Sequence, residues 1–132
     1  MRQPLDNRDA IDLLVRSFYE KVKKDDLLGD IFNNAENFNW DIHIPIMVDF
    51  WETVLLDAAK YKGNTMRKHI ELHRRTPLTP AHFERWKQLF YSTLDELFEG
   101  PNVKEAHKKV EGIGGLMQHR IQQLDQNGFS FM

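Results

Sequence analysis

Residues 11–22 read IDLLVRSFYEKV, and their apolar side chains recur at intervals of three and four. This spacing places them on one face of a helix, with most charged side chains outside it. Asp6 or Asn7 can cap the start of the helix, and Asp9 suits its first turn. The stretch therefore predicts an amphipathic helix with an apolar stripe formed by Ile11, Leu14, Val15, Phe18, Tyr19 and Val22.

Helical spacing continues along the rest of the chain, and no segment alternates with period two. We therefore predict an all-α fold. Further helices are predicted from near Asp41, with Pro45 in the first turn, from Met66 to about His73, from Thr79-Pro80 to Gly100-Pro101, and from about Asn102 to Asn127. The face predicted for the helix that begins near Asp41 consists of His43, Met47, Phe50, Trp51, Val54, Leu55 and Ala58.

The last predicted helix contains three glycines, Gly112, Gly114 and Gly115. Each glycine destabilises a helix by about 1 kcal/mol relative to alanine, so a structural requirement for glycine is expected there. A close approach of another element or of a ligand would supply one, and a local kink is the alternative.

Composition limits the function classes. The 132 residues correspond to one domain, residues 1–132, with an ordinary globular mixture of 41% hydrophobic and 29% charged residues. The net charge of −2 disfavours a strongly basic nucleic-acid-binding protein. The longest apolar run, residues 44–48, is far shorter than the roughly 20 residues of a membrane span. We expect a soluble, cytoplasmic protein with neither nucleic acid nor membrane as a partner.

Cysteine is absent, which excludes disulfides, cysteine-ligated metals and covalently attached c-type haem. Histidine is the most versatile ligand that remains, and His69 and His73 are spaced so that both would lie on one helix face. The HExxH signature of zinc proteases fails, because Ile70 stands where its glutamate would be. The pair is either a two-histidine metal site or a solvated surface. The basic residues around it form either an anion site or a solvated face: Arg67, Lys68, Arg74 and Arg75.

A third arrangement joins two predicted helices. His43, Met47 and Trp51 share a stripe, and His69 follows on a separate short helix. Two such helices could face each other across a flat slot with aromatic walls, which suits a planar cofactor with an axial metal. Spacing alone also permits an ordinary aromatic core.

A series of motifs runs along the chain from about residue 10 to about residue 117. The motifs are Phe18-Tyr19-Glu20-Lys21-Val22, Leu28-Gly29-Asp30-Ile31-Phe32-Asn33, Trp40-x-x-His43, Phe50-Trp51, Tyr61-x-Gly63-x-x-Met66-x-x-His69-x-x-Leu72 and His82-Phe83-x-x-Trp86. The order and spacing of these motifs make them specific as a set, and in them the sequence resembles the group III truncated haemoglobins.

The resemblance implies a truncated globin fold, a two-over-two helical sandwich around haem b (iron protoporphyrin IX). It implies that His69 is the proximal iron ligand, with Tyr19 and His43 on the distal side. Trp86 matches the distal-side tryptophan, and Phe32 matches the phenylalanine packed against the porphyrin. The whole haem-binding set that we expect is Phe18, Tyr19, Phe32, His43, Met47, Phe50, Trp51, Met66, Arg67, His69, Leu72, Trp86 and Phe90.

Two features depart from the family pattern. Thr65 stands where many relatives have proline, which loosens the entry to the proximal helix. His73 could compete for iron, but only His69 fits the motif. The resemblance also implies a role for the basic residues Arg67, Lys68, Arg74 and Arg75, since any of them could bind a haem propionate.

The function implied is reversible binding of dioxygen and other diatomic ligands, namely nitric oxide and carbon monoxide. The hydroxyl of Tyr19 and the indole N–H of Trp86 are neutral donors that could hydrogen-bond such a ligand. A haem redox enzyme, acting as a nitric oxide dioxygenase or peroxidase, is the alternative. This chain carries no flavin or nicotinamide motif, so dioxygenation would need a separate reductase. A small helical interaction module without haem is the third possibility.

Overall fold

The computed structural model describes residues 2–33, 39–56 and 78–126. Most of these residues lie in helices, which confirms the all-α prediction. The helices are α1 (Arg8–Lys24), α2 (Asp26–Asn33), α3 (Trp40–Leu56), α4 (Pro80–Leu97) and α5 (Pro101–Gln126). The short helix predicted for residues 66–73 lies outside the described residues.

Helix α1 is amphipathic, as its sequence predicted, and lies at the centre of the core. All six residues of the predicted stripe are buried. Of the two candidate caps, Asn7 takes the position, and its side chain accepts the backbone N–H of Ala10 at 2.9 Å. Helix α1 packs against both α3 and α4, so its stripe fixes the placement of those two helices.

The corner between α1 and α2 depends on Asp25, whose carboxylate accepts the backbone N–H groups of Leu27 and Leu28. The same carboxylate accepts a bond from Nε of Arg85 on α4, at 2.6 Å. Burial raises the pKa of Asp25, but these donors outweigh it and bring the pKa below its ordinary value. Gly29 allows the tight corner, because a Cβ there would lie 3.0 Å from the carbonyl oxygen of Lys23.

Helix α3 differs from the prediction in two respects. It begins at Trp40, with the Asn39 side chain accepting the N–H of Asp41, so Pro45 falls in the second turn instead of the first. Its buried stripe contains Ile44, Val48 and Trp51, whereas His43, Met47 and Phe50 are only partly buried beside it. The sequence could not separate these two neighbouring stripes, because apolar side chains surround most of the helix. Ala58 lies outside the described residues.

Helix α4 begins as predicted, with Thr79 as the N-cap and Pro80 as its first residue. The chain then turns at Gly100, whose φ of +106° is open to glycine and strained for other residues. Before this turn, β2 (Phe98–Glu99) pairs in parallel with β1 (Gln3–Pro4). Two-residue strands are too short to produce a periodic signal, so they could not be predicted from the sequence pattern.

Helix α5 packs along α4, and one of its three glycines explains the close contact. A Cβ on Gly114 would lie 3.1 Å from Cζ3 of Trp86, whereas a Cβ on Gly112 or Gly115 would meet nothing within 4 Å. The expectation of a close approach is therefore correct for Gly114. Among the described residues, no helix is long and apolar enough to cross a membrane.

Candidate functional site

Tyr19 and His43 form the polar centre of the candidate site. The hydroxyl oxygen of Tyr19 lies 3.1 Å from Nε2 of His43, so the two side chains share a hydrogen bond. Tyr19 reaches this position because it belongs to the buried stripe of α1, and His43 because it ends the first turn of α3. Which atom donates depends on the imidazole tautomer.

Aromatic rings enclose this pair. Tyr19 contacts the rings of Phe32, Trp40 and His43, with centroid distances of 6.2, 5.3 and 5.1 Å. Phe32 and Trp40 also contact each other at 5.1 Å. Three helices, α1, α2 and α3, therefore contribute to one aromatic enclosure.

Trp40 is a member of this enclosure to which sequence analysis gave no role. Its ring lies 6.0 Å from that of His43, one turn earlier on the same helix. The ammonium group of Lys23 lies 4.9 Å from the centre of a Trp40 ring, a cation–π contact between α1 and α3. The Trp40-x-x-His43 motif was the available signal, since this spacing puts both side chains on the same helix face.

The environment keeps the Tyr19 hydroxyl protonated. Tyr19 is 8% exposed, and burial raises the pKa of its hydroxyl above the ordinary value of about 10. A buried phenolate would lose its hydration, so the neutral form persists through the physiological range. The side chain is therefore a neutral hydrogen-bond donor and acceptor.

A second group of rings lies behind the first and is centred on Phe90 of α4. Phe90 contacts Phe18 at 4.9 Å, Trp51 at 4.7 Å and Trp86 at 6.0 Å. Phe50 joins through Trp51 at 5.2 Å. Because Phe18 also contacts Tyr19 at 4.9 Å, the two groups form one continuous aromatic network.

The expected site residues differ in burial. Phe18, Trp51 and Phe90 are buried, at 4% exposure or less. The side chains that are partly buried are Phe32, His43, Met47, Phe50 and Trp86. The remaining expected members, Met66, Arg67, His69 and Leu72, lie outside the described residues, as does the rival ligand His73.

These residues fit a large planar apolar cofactor. Partly buried aromatic and thioether side chains suit the faces of a porphyrin, and the Tyr19–His43 pair is the polar group that a diatomic ligand would need beside it. Within residues 2–33, 39–56 and 78–126, no three His, Cys, Asp or Glu side chains converge as a metal-binding group.

The chain is similar to known truncated haemoglobins. Group 3 truncated haemoglobin ctb of Campylobacter jejuni is 37% identical over 118 residues, which cover 87% of this chain and 91% of that protein. Group 1 truncated haemoglobin GlbN of Synechocystis sp. is 26% identical over 125 residues, or 94% of this chain and 96% of the relative. No family model matches the chain.

Solved structures agree with the sequence relatives. The crystal structure of a group III truncated haemoglobin from Campylobacter jejuni has a TM-score of 0.82 and 31% identity, covering 92% of this chain and 95% of that one. The 2/2 haemoglobin from Synechococcus sp. PCC 7002, crystallised in the cyanomet state with covalently attached haem, has a TM-score of 0.70 and 25% identity over 81% of this chain and 86% of that chain. The protein therefore belongs to the group III truncated haemoglobins and has their two-over-two helical globin fold.

Proposed function

We propose that the protein binds haem b through His69 and reversibly binds dioxygen and other diatomic ligands beside Tyr19 and His43. The observation that carries this proposal is the hydrogen bond between the buried Tyr19 and the partly buried His43, enclosed by aromatic rings. Membership of the haemoglobin family implies haem binding and diatomic gases as the class of ligand.

Haem iron, when bound, would supply the coordination position for the diatomic ligand and donate electron density to it. Phe32, Met47, Phe50 and Trp86 are the partly buried side chains that would pack against the porphyrin. Phe18, Trp51 and Phe90 would support them from the core. Met66 and Leu72, each three positions from His69 in the sequence, complete the proposed haem-binding set, and Arg67 is one of the basic residues near His69 that could bind a propionate.

The Tyr19–His43 bond gives the distal side its donor. When Nε2 of His43 carries a proton, it donates to the Tyr19 oxygen, and the phenolic O–H is then available to the ligand. A donor that itself accepts a hydrogen bond is polarised and becomes stronger. In the other tautomer the phenol donates to His43 instead. The tautomer of His43 therefore decides whether Tyr19 can stabilise the ligand.

The direct test is the reversibility of dioxygen binding by the reduced, haem-reconstituted protein. We expect a dioxygen-bound spectrum that returns to the ferrous spectrum when oxygen is removed, over repeated cycles. Immediate and irreversible oxidation to the ferric form in every cycle would contradict reversible binding.

A haem redox enzyme is the second candidate, and the Tyr19–His43 pair is the observation that favours it. A hydrogen-bonded phenol and imidazole can polarise a bound oxygen or peroxide and deliver a proton to it. Electrons would have to come from a separate reductase. We would measure nitric oxide consumption in oxygenated solution with a supplied reductant. Sustained turnover would favour the enzyme, and a single stoichiometric reaction would favour the binding protein.

A further inference from the structure

The contact between Gly114 and Trp86 is unusually close. Gly114 is buried on α5, facing α4, and a Cβ built on it would lie 3.1 Å from Cζ3 and 3.7 Å from Cε3 of the Trp86 indole. Carbon atoms in favourable contact are about 3.5–4.0 Å apart, so a methyl group at this position would force the ring to move. Glycine lets the indole lie against the backbone of α5.

The two neighbouring glycines do not make such a contact. Gly112 and Gly115 lie in the same helix, and a Cβ on either would meet no atom within 4 Å. All three carry the same helix penalty of about 1 kcal/mol. Of the three, only Gly114 makes a close packing contact that accounts for a glycine at its position.

The indole also has a fixed neighbour on its own helix. The Trp86 ring lies 6.0 Å from Phe90, tilted by 45°, and Phe90 is held by Phe18 and Trp51. A tryptophan side chain has two rotatable bonds, so contacts on both sides define where its N–H points. Moving one of these contacts moves the N–H.

We propose that Gly114 is a positioning residue that sets the place of the Trp86 indole and, through it, the strength of the second distal donor. This inference rests on the proposed function, in which the Trp86 N–H donates to the diatomic ligand. Hydrogen bonds weaken steeply with poor distance and angle, so a displacement of a few tenths of an ångström is enough to alter the donor.

The test compares Gly114→Ala with Gly112→Ala and Gly115→Ala, which match it in helix propensity. The first measurement is the indole ¹H–¹⁵N resonance of Trp86 in the haem-reconstituted, carbon monoxide-bound protein, assigned with Trp86→Phe. We expect Gly114→Ala to shift this resonance and both control variants to leave it near the wild-type position. An unmoved resonance in Gly114→Ala would overturn the inference.

The second measurement is the dioxygen dissociation rate. We expect Gly114→Ala to accelerate dissociation about two- to tenfold, the range that corresponds to weakening one hydrogen bond. In the Trp86→Phe background, Gly114→Ala should have no further effect, because the donor is gone. An unchanged rate in Gly114→Ala, or an equal acceleration in both backgrounds, would contradict an action through Trp86.

Failure of the proposed function gives a different result. If the wild-type protein took up no haem, the proposed function would fall, whereas the Trp86 resonance of the haem-free variants would still decide whether Gly114 positions the ring. If Gly114→Ala alone folds poorly, its cost in the free energy of unfolding is compared in the wild-type and Trp86→Phe backgrounds. We expect a smaller cost in the Trp86→Phe background, and an equal cost would contradict a contact that acts on the indole.

Discussion

The Tyr19 hydroxyl on α1 and the His43 imidazole on α3 lie 3.1 Å apart and share a hydrogen bond. The two residues are separated by 24 positions in the chain, and only the packing of α1 on α3 brings them together. On the proposed distal side, this bond makes the histidine a partner of the tyrosine.

Tyr19→Phe should make dioxygen dissociate faster by up to about tenfold, because it removes a hydrogen bond worth roughly 0.5–1.5 kcal/mol. Phenylalanine keeps the ring contacts with Phe32 and Trp40, so packing changes little. Stopped-flow displacement of dioxygen by carbon monoxide measures the rate. A rate equal to that of the wild type would remove Tyr19 from the stabilising role.

His43→Leu should also accelerate dissociation, but mainly by weakening the donor on Tyr19. The effect of the double variant Tyr19→Phe/His43→Leu should therefore be smaller than the product of the two single effects. The same stopped-flow measurement completes the cycle. Strictly multiplicative rates would mean that the two side chains act independently.

Lys23→Met should lower the free energy of unfolding by up to about 1 kcal/mol through loss of the cation–π contact with Trp40. Methionine keeps an apolar stem without the charge. Lys23 also forms an ion pair with Glu20, so Glu20→Gln is the necessary control for that interaction. Urea unfolding measures the free energy of unfolding of Lys23→Met and of Glu20→Gln. The matched control is Lys24→Met, which changes the exposed neighbouring lysine. Equal losses in Lys23→Met and Lys24→Met would show that Trp40 is not held by this charge.

His82 should make stability depend on pH. Its Nδ1 accepts the backbone N–H of Thr79 in the capping box of α4, and burial lowers its pKa. Below about pH 6.5, the pKa of histidine in the unfolded chain, the unfolded chain binds a proton that the folded His82 does not. The free energy of unfolding therefore decreases as the pH decreases. This contribution is present above that value and is lost as pH decreases towards the folded pKa.

His82→Gln is the control for this prediction, because glutamine keeps an acceptor at the same capping position and does not titrate. Urea midpoints at pH 7.5 and 5.5 would be compared for the two proteins, in which every other histidine is shared. The wild type should lose more stability than the variant on acidification. Parallel decreases would assign the pH dependence to other groups.

The sequence predicted those parts of the fold that depend on local pattern. The stripe of α1 and the Thr79-Pro80 start follow from spacing and residue type within a few positions, whereas the N-cap of α1 was narrowed only to Asp6 or Asn7, of which the structure selects Asn7. The buried face of α3 was harder to predict, because apolar residues lie on most sides of this helix. Its buried stripe contains Ile44, Val48 and Trp51.

For the site, the resemblance supplied Tyr19, Phe32 and His43, and the structure brings these three together. The hydrogen bond itself, the contacts of the Trp40 ring with both side chains and the close approach of Gly114 to Trp86 depend on the three-dimensional packing. Each depends on where two helices cross, which a periodic pattern does not specify.

The most direct test of the central claim is the visible spectrum of the protein titrated with haemin, then reduced and exposed to carbon monoxide. We predict stoichiometric haem uptake with a Soret band that shifts on adding carbon monoxide. His69→Gly should lose the wild-type ferrous spectrum and regain it with added imidazole, whereas His73→Gly should retain it. Failure of the wild-type protein to bind haem, or a His69→Gly spectrum identical to the wild type, would contradict this account.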